Sequence, residues 1–225
     1  MPTINILDKQ TRELIAAGEV VERPASAIKE LVENSIDAGA THITVEIENG
    51  GISLMRITDD GCGIVRDDVE KAFLRHATSK IKTDSDLECI GTLGFRGEAL
   101  AAISAVSKVN MITKTEEEEV GTHYQIEGGE KVLLDDIGCP TGTLIEVRDL
   151  FFNTPARMKF LKKDAKEGAN VGAVIDRIAL SHPEIAFSFI KDGKSVLNTT
   201  GNGNLKDAVY EVLGRDIALG TIPID

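Results

Sequence analysis

The chain is short of the features that would place it in a membrane, a secretory compartment or a disulfide scaffold. No run of about 18 apolar residues occurs, so nothing in it reads as a spanning helix. The opening Met1-Pro2-Thr3-Ile4-Asn5 has neither the basic nor the apolar region of a secretory signal. Cysteines number three, Cys62, Cys89 and Cys139, widely spaced and without any Cys-x-x-Cys pair. That excludes a disulfide framework and a zinc knuckle, and it fits a reducing cytoplasm. Six prolines in 225 residues argue against a long disordered arm. Basic charge is also scarce, with 25 Lys and Arg against 37 Asp and Glu, a net charge of −12. That points away from a protein whose main business is gripping nucleic acid. Two common phosphate motifs are missing as well. Asp192-Gly193-Lys194-Ser195 resembles the end of a P-loop, but Ser188 stands where its first glycine belongs, and no Gly-x-Gly-x-x-Gly follows a strand.

The charge that is present is uneven. Glu116 to Glu119 form an acidic block, whereas Arg157, Lys159, Lys162, Lys163 and Lys166 crowd into ten residues opposed by Asp164 alone. That cluster is either a solvated helix face or a weak, salt-sensitive contact for DNA or a partner.

Hydrophobic periodicity predicts helices over 11–17, 24–38, 67–75, 98–105, 154–161, 164–181 and 205–213. Alternation predicts strands over 42–48, 52–58, 107–114, 121–127, 130–134, 142–148, 185–191 and 195–199. Asn49-Gly50-Gly51, Gly128-Gly129 and Asp192-Gly193 read as hairpin turns. Residues 76–97 have no period and read as a long functional loop. Strands joined by tight turns, with helices grouped between them, indicate an α+β sandwich. Residues 1–200 are expected to form one domain and 201–225 the start of a truncated second.

Several residues could carry chemistry. Gly91-Thr92-Leu93-Gly94-Phe95-Arg96-Gly97 leads into Glu98-Ala99-Leu100, a glycine-rich loop feeding a helix start, where backbone N–H groups and the helix dipole favour an anion. Lys80 and Arg96, with Thr78 and Ser79, supply cations and hydroxyls for a polyphosphate. On the 24–38 helix, Ile28, Leu31, Val32 and Ile36 share one side and Glu30, Asn34 and Asp37 the other. Asn34 can offer an oxygen to magnesium beside phosphates, and Glu30, one turn earlier, can orient and deprotonate a water. An ordinary solvated face is the alternative. Asp59-Asp60-Gly61-Cys62-Gly63 follows a strand; its carboxylate can accept from an exocyclic amine, or the segment is only a tight turn with Cys62 as a small buried residue. Gly142-Thr143 opens a strand. His42, His76, His123 and His182 are dispersed and read as structural or exposed.

Taken in order, Glu30-x-x-x-Asn34, Asp59-x-Gly61-x-Gly63, Gly94-Phe95-Arg96-Gly97 and Gly142-Thr143 resemble the four motifs of the GHKL ATPases. Within that superfamily Leu14 to Ser26, Arg75-His76-Ala77-Thr78-Ser79-Lys80, Gly94-Phe95-Arg96-Gly97-Glu98-Ala99-Leu100 and Phe152-Asn153-Thr154-Pro155-Ala156-Arg157 are similar to segments of the MutL family. The resemblance implies a Bergerat-type two-layer sandwich, a mixed and mostly antiparallel sheet with helices on one face. It implies ATP and Mg2+ as ligands, with Glu30 as general base and Asn34 as metal ligand. Asp59 would hold the adenine amine, Gly63 and Thr143 would line the base pocket, and Asp37 would border the nucleotide. Residues 76–97 would be an ATP lid, with Thr78, Ser79, Lys80 and the segment Gly94 to Leu100 around the triphosphate. Residues 1–20 would reach a second subunit in an ATP-dependent homodimer that relays mismatch recognition to downstream repair proteins in the bacterial cytoplasm, at the nucleoid. Two departures stand out. Asp60 replaces a frequent asparagine, its charge tolerable if it points to solvent. The family's second domain supplies a lysine to the γ-phosphate, and the chain ends before it, so weak hydrolysis is expected. A nucleotide-gated clamp with little turnover is the alternative.

Overall fold

The computed structural model describes residues 5, 8–80, 92–94 and 97–220. Helix α1 (Lys9–Val20) is longer than periodicity predicts at both ends. Asp8 caps it, accepting the Thr11 N–H at 2.8 Å. Gly18 does not end it, because the Arg157 guanidinium lies directly on that glycine, with Nη2 1.4 Å from where a Cβ would stand. Arg157 Nη2 also donates to the Leu14 and Ile15 carbonyls at 3.0 and 3.4 Å. Arg157→Ala is expected to lower stability by about 1–3 kcal/mol through these lost bonds and lost packing, read as a shift of the urea midpoint.

Helix α2 (Pro24–Asp37) opens with proline at its first turn and closes at Ala38, followed by Gly39. Strands β1 (His42–Glu48) and β2 (Leu54–Asp59) pair antiparallel. The turn between them is a 3-10 segment, Asn49–Gly51, so β2 starts two residues later than expected. Helices α3 (Arg66–Ala72) and α4 (Ala99–Ala105) precede β3 (Lys108–Lys114), β4 (Gly121–Glu127), β5 (Glu130–Ile137) and β6 (Gly142–Arg148). β5 runs past the predicted residue 134 because pairing with β4 carries Asp135 and Asp136 despite their poor strand propensity. The 154–161 helix shrinks to one turn, α5 (Pro155–Met158). Then come α6 (Asp164–Ser181), β7 (Ala186–Lys191), β8 (Lys194–Asn198), α7 (Leu205–Leu213) and α8 (Arg215–Gly220). α7 lies against α6 and β8.

The eight strands form one sheet in the order β5-β4-β3-β6-β2-β1-β7-β8, antiparallel except where β1 meets β7. This is the expected two-layer α+β sandwich. Ile28, Leu31 and Val32 of α2 are buried against the same core as Ile43, Val45, Ile47, Met55 and Ile57 of the sheet. Each such side chain contributes roughly 1.5–3 kcal/mol. The opposite face is polar, with Arg56 held between Glu46 at 2.5 Å and Glu146 at 2.9 Å.

Candidate functional site

The site is built on the polar side of α2 and the ends of β2 and β6. Asp37 is its hub. Its Oδ2 accepts from Lys80 Nζ at 2.5 Å and from the Gly94 N–H at 3.1 Å, and its Oδ1 from the Leu93 N–H at 3.0 Å. Lys80 Nζ also donates to Asn34 Oδ1 at 2.9 Å. Burial pushes the Asp37 carboxyl up, but the bonds from Lys80, Leu93 and Gly94 and the nearby Lys80 charge outweigh it and hold it below its ordinary value. A Cβ on Gly94 would stand 3.5 Å from Asn34 Oδ1, so residue 94 borders the cluster directly. Glu30 sits one turn before Asn34, its side chain 33% exposed and its carboxylate 3.8 Å from Lys29 Nζ.

The two flanks of the long loop meet below this cluster. The His76 N–H donates to the Gly97 carbonyl at 2.9 Å, and Glu98 Oε1 lies 3.2 Å from His76 Nδ1. Thr78 Oγ1 accepts the Lys80 N–H at 3.2 Å, while Ser79 is exposed. Ala99 and Leu100 form the first turn of α4, whose Ala102 N–H returns to the Glu98 carbonyl at 2.8 Å. Phe95, Arg96 and residues 81–91 lie outside the described residues.

Asp59 ends β2 opposite Thr143 of β6. It accepts from Ser35 Oγ at 2.6 Å and the Gly61 N–H at 3.0 Å, and the Thr143 backbone N–H adds a third bond. Burial pushes its carboxyl up, the three bonds offset only part of that, and the adjacent Asp60 adds to the rise. Thr143 Oγ1 lies 3.0 Å from Thr113 Oγ1, which accepts the Ile64 N–H at 2.9 Å. Gly63 packs its Cα against the Lys114 carbonyl. These contacts bring Asp59, Gly63 and Thr143 close together.

Other readings change. Asp60 reaches solvent, as its charge requires, but it is also tied down on one side. It accepts from Thr41 N and Oγ1 at 2.7 and 2.6 Å and from His42 N and Nδ1 at 2.8 and 3.0 Å. Burial alone would raise its carboxyl; these donors carry it well below the usual carboxylate range. Cys62 is exposed rather than a small buried residue, because the glycine turn directs it outward. Arg157 turns toward α1, while Lys159, Lys162, Lys163 and Lys166 remain exposed. Ser35 and Thr113 escape the motif reading. The signal for Ser35 is a hydroxyl on the apolar side of α2, 4% exposed beside Leu31 and Val32.

What this arrangement can do is hold an anionic, base-bearing ligand along α2. Among the described residues no three His, Cys, Asp or Glu side chains gather into a metal site. Asn34 and Asp37 nevertheless form an oxygen pair that already attracts a cation, the Lys80 ammonium. That suits magnesium, which takes few protein oxygens and keeps waters and phosphates as its other ligands.

A half-buried carboxylate at a strand end, facing a helix that carries an amide and carboxylates, suits a nucleotide site. Residues 22–137, from the lead-in to α2 through the end of β5, match the family of histidine kinase-, DNA gyrase B- and HSP90-like ATPases. The chain is 54% identical to the DNA mismatch repair protein MutL of Agathobacter rectalis over 224 residues, 100% of this chain and 35% of that protein. It is 54% identical to MutL of Thermoanaerobacter pseudethanolicus over 217 residues, 96% of this chain and 35% of that one. The Aquifex aeolicus MutL ATPase domain complexed with ADP matches with a TM-score of 0.73 at 38% identity, over 86% of this chain and 70% of that chain. This chain belongs to the MutL family of DNA mismatch repair proteins and carries its GHKL-type ATPase domain. It spans about a third of the length of the curated relatives it matches. No helix among the described residues is long and apolar enough to cross a membrane.

Proposed function

We propose that this region binds ATP with magnesium along α2 and hydrolyses it as part of a DNA mismatch repair protein. One observation carries the reading. Ser35, next to Asn34 on α2, is bonded to the half-buried Asp59, so the base end and the phosphate end of the site share one rigid helix. Asp59 accepts the adenine amine, with Gly63 and Thr143 lining the base pocket. Asn34 would hold the metal beside the phosphates, with Asp37 close by, and bound magnesium would neutralise charge on the phosphate oxygens. Glu30 orients the attacking water and takes its proton. Thr78, Ser79 and Lys80, with Gly94, Gly97 and the first turn of α4 from Glu98 to Leu100, surround the triphosphate. The ADP bound by the Aquifex relative supports this use of the site.

In the longer protein, nucleotide binding orders the loop and residues 1–20 join two copies. The dimer then relays mismatch recognition to downstream repair proteins in the bacterial cytoplasm, at the nucleoid. Hydrolysis gains from a lysine supplied by a second domain. The exposed Lys159, Lys162, Lys163 and Lys166 give a salt-sensitive contact to DNA.

Calorimetry of ATP and GTP with magnesium tests the base assignment. The protein is expected to bind ATP and to discriminate against GTP, whose O6 meets the Asp59 carboxylate without a proton to offer. Asp59→Asn is expected to weaken ATP binding by about 1.5–3 kcal/mol, the worth of a bond to a charged group. An unchanged dissociation constant would contradict the assignment. The pH dependence carries a sign. The raised Asp59 pKa means that the folded protein takes up this proton at a higher pH than an ordinary aspartate, and the protonated acid cannot accept both amine and amide donors. ATP affinity therefore falls on acidification, with an inflection above the 3.8 of an ordinary aspartate. Asp59→Asn should abolish that inflection.

A further inference from the structure

We propose that Lys80 is a resident cation of this site. In the nucleotide-free protein its ammonium occupies the place beside Asn34 that a divalent metal takes, and metal enters only when a polyphosphate draws Lys80 away. The proposal rests on the ATPase reading above.

The geometry is that of a cation seat. Lys80 Nζ lies 2.9 Å from the Asn34 amide oxygen and 2.5 Å from Asp37 Oδ2, the oxygen types that a hard divalent ion selects. The seat is partly desolvated, with side-chain exposures of 20% for Lys80 and 7% for Asp37. An Asp37 carboxylate left there without a counter-charge would be costly. Lys80 therefore keeps the pair neutral, and its charge repels a second cation from the same oxygens. Removal of Lys80 without replacement is unfavourable, and so is entry of metal while Lys80 stays.

A polyphosphate resolves both problems at once. It offers Lys80 new anionic partners and brings its own oxygens to the metal. Metal and nucleotide affinity are then coupled, each raising the other by the same factor. The exchange also reaches the far flank of the loop. Asp37 accepts the Gly94 amide with the same Oδ2 that faces the cation and the Leu93 amide with its other oxygen, so a change of cation bears directly on the hold on residue 94 and, through the shared carboxylate, on residue 93. Gly94 borders this seat. A Cβ there would stand 3.4 Å from Lys80 Nζ and 3.8 Å from Asp37 Oδ2.

The test is titration with Mn2+, followed by electron paramagnetic resonance, in the absence of nucleotide. The wild type is expected to bind Mn2+ weakly, and Lys80→Met roughly tenfold more tightly, as removal of a part-buried neighbouring charge implies. Lys80→Arg keeps the charge and should keep the wild-type weakness. Adding Asn34→Ala to Lys80→Met should cancel the gain. If Lys80→Met fails to fold, Lys80→Gln retains hydrogen-bond donors without the charge and carries the same expected gain. An Mn2+ constant in the folded neutral variant equal to or weaker than that of the wild type overturns the role given to Lys80. Absence of ATP binding by the wild type overturns the ATPase reading and the exchange with it. Normal ATP binding together with no Mn2+ gain overturns the exchange alone.

Discussion

Glu30→Ala is expected to leave ATP binding intact and to raise the barrier to turnover by about 3–5 kcal/mol, the range for a lost general base. The side chain lies on the solvent side of α2, so the fold should change little on its removal. Glu33, on the same helix, provides the control. Its carboxylate is tied to Lys29 at 2.8 Å. Glu33→Ala should keep turnover within a few-fold of the wild type. Phosphate release at saturating ATP, with calorimetry of binding on the same preparations, decides the matter. Wild-type turnover in clean Glu30→Ala protein would remove the general base from the mechanism.

Gly142→Val should damage both stability and binding. Gly142 sits at φ +119, a conformation that L side chains rarely adopt, and a Cβ there would stand 2.2 Å from the Asp59 carbonyl oxygen. The obstacle is backbone, so no side chain can swing away. β6 must shift from β2 at the pairing of Asp59 with Thr143. Strain and overpacking together are expected to lower stability by about 3–5 kcal/mol. In whatever fraction still folds, ATP binding should be lost, because the base pocket is built on that register. Gly138→Ala, in open space a few residues upstream, should be neutral. Urea midpoints of the two variants give the comparison, and a Gly142→Val midpoint equal to that of the wild type would contradict the steric account.

Much of the fold is legible because its signals are local. β1, β4, β6, α6 and α7 have the bounds that alternation, helical period and turn residues predict. Misreadings arise where a distant residue overrides a local rule. The helix expected over 11–17 runs on through Gly18, on which the Arg157 guanidinium lies. Asp135 and Asp136 look like a strand end until β4 pairs with them. Asn34, Asp37, Asp59 and Lys80 stand out as residue types in a familiar order, but nothing local shows that Lys80 seats on Asn34 and Asp37. Ser35 is harder still, since a single helical serine has many uses and only its contact with Asp59 reveals this one.

The parallel pairing of β1 with β7 has a consequence for biosynthesis. β1 is an interior strand with Ile43, Val45 and Ile47 fully buried, yet one of its two neighbours begins only at Ala186. At translation rates of about 5–20 residues per second, the interval between completing Glu48 and reaching β7 is roughly seven to thirty seconds. Throughout that interval the nascent chain displays an unpaired apolar strand edge, a template for wrong partners. Parallel closure over so long a loop is also intrinsically slow. Demand for chaperones should therefore peak while the ribosome is translating α6, just before the strand that covers this edge emerges.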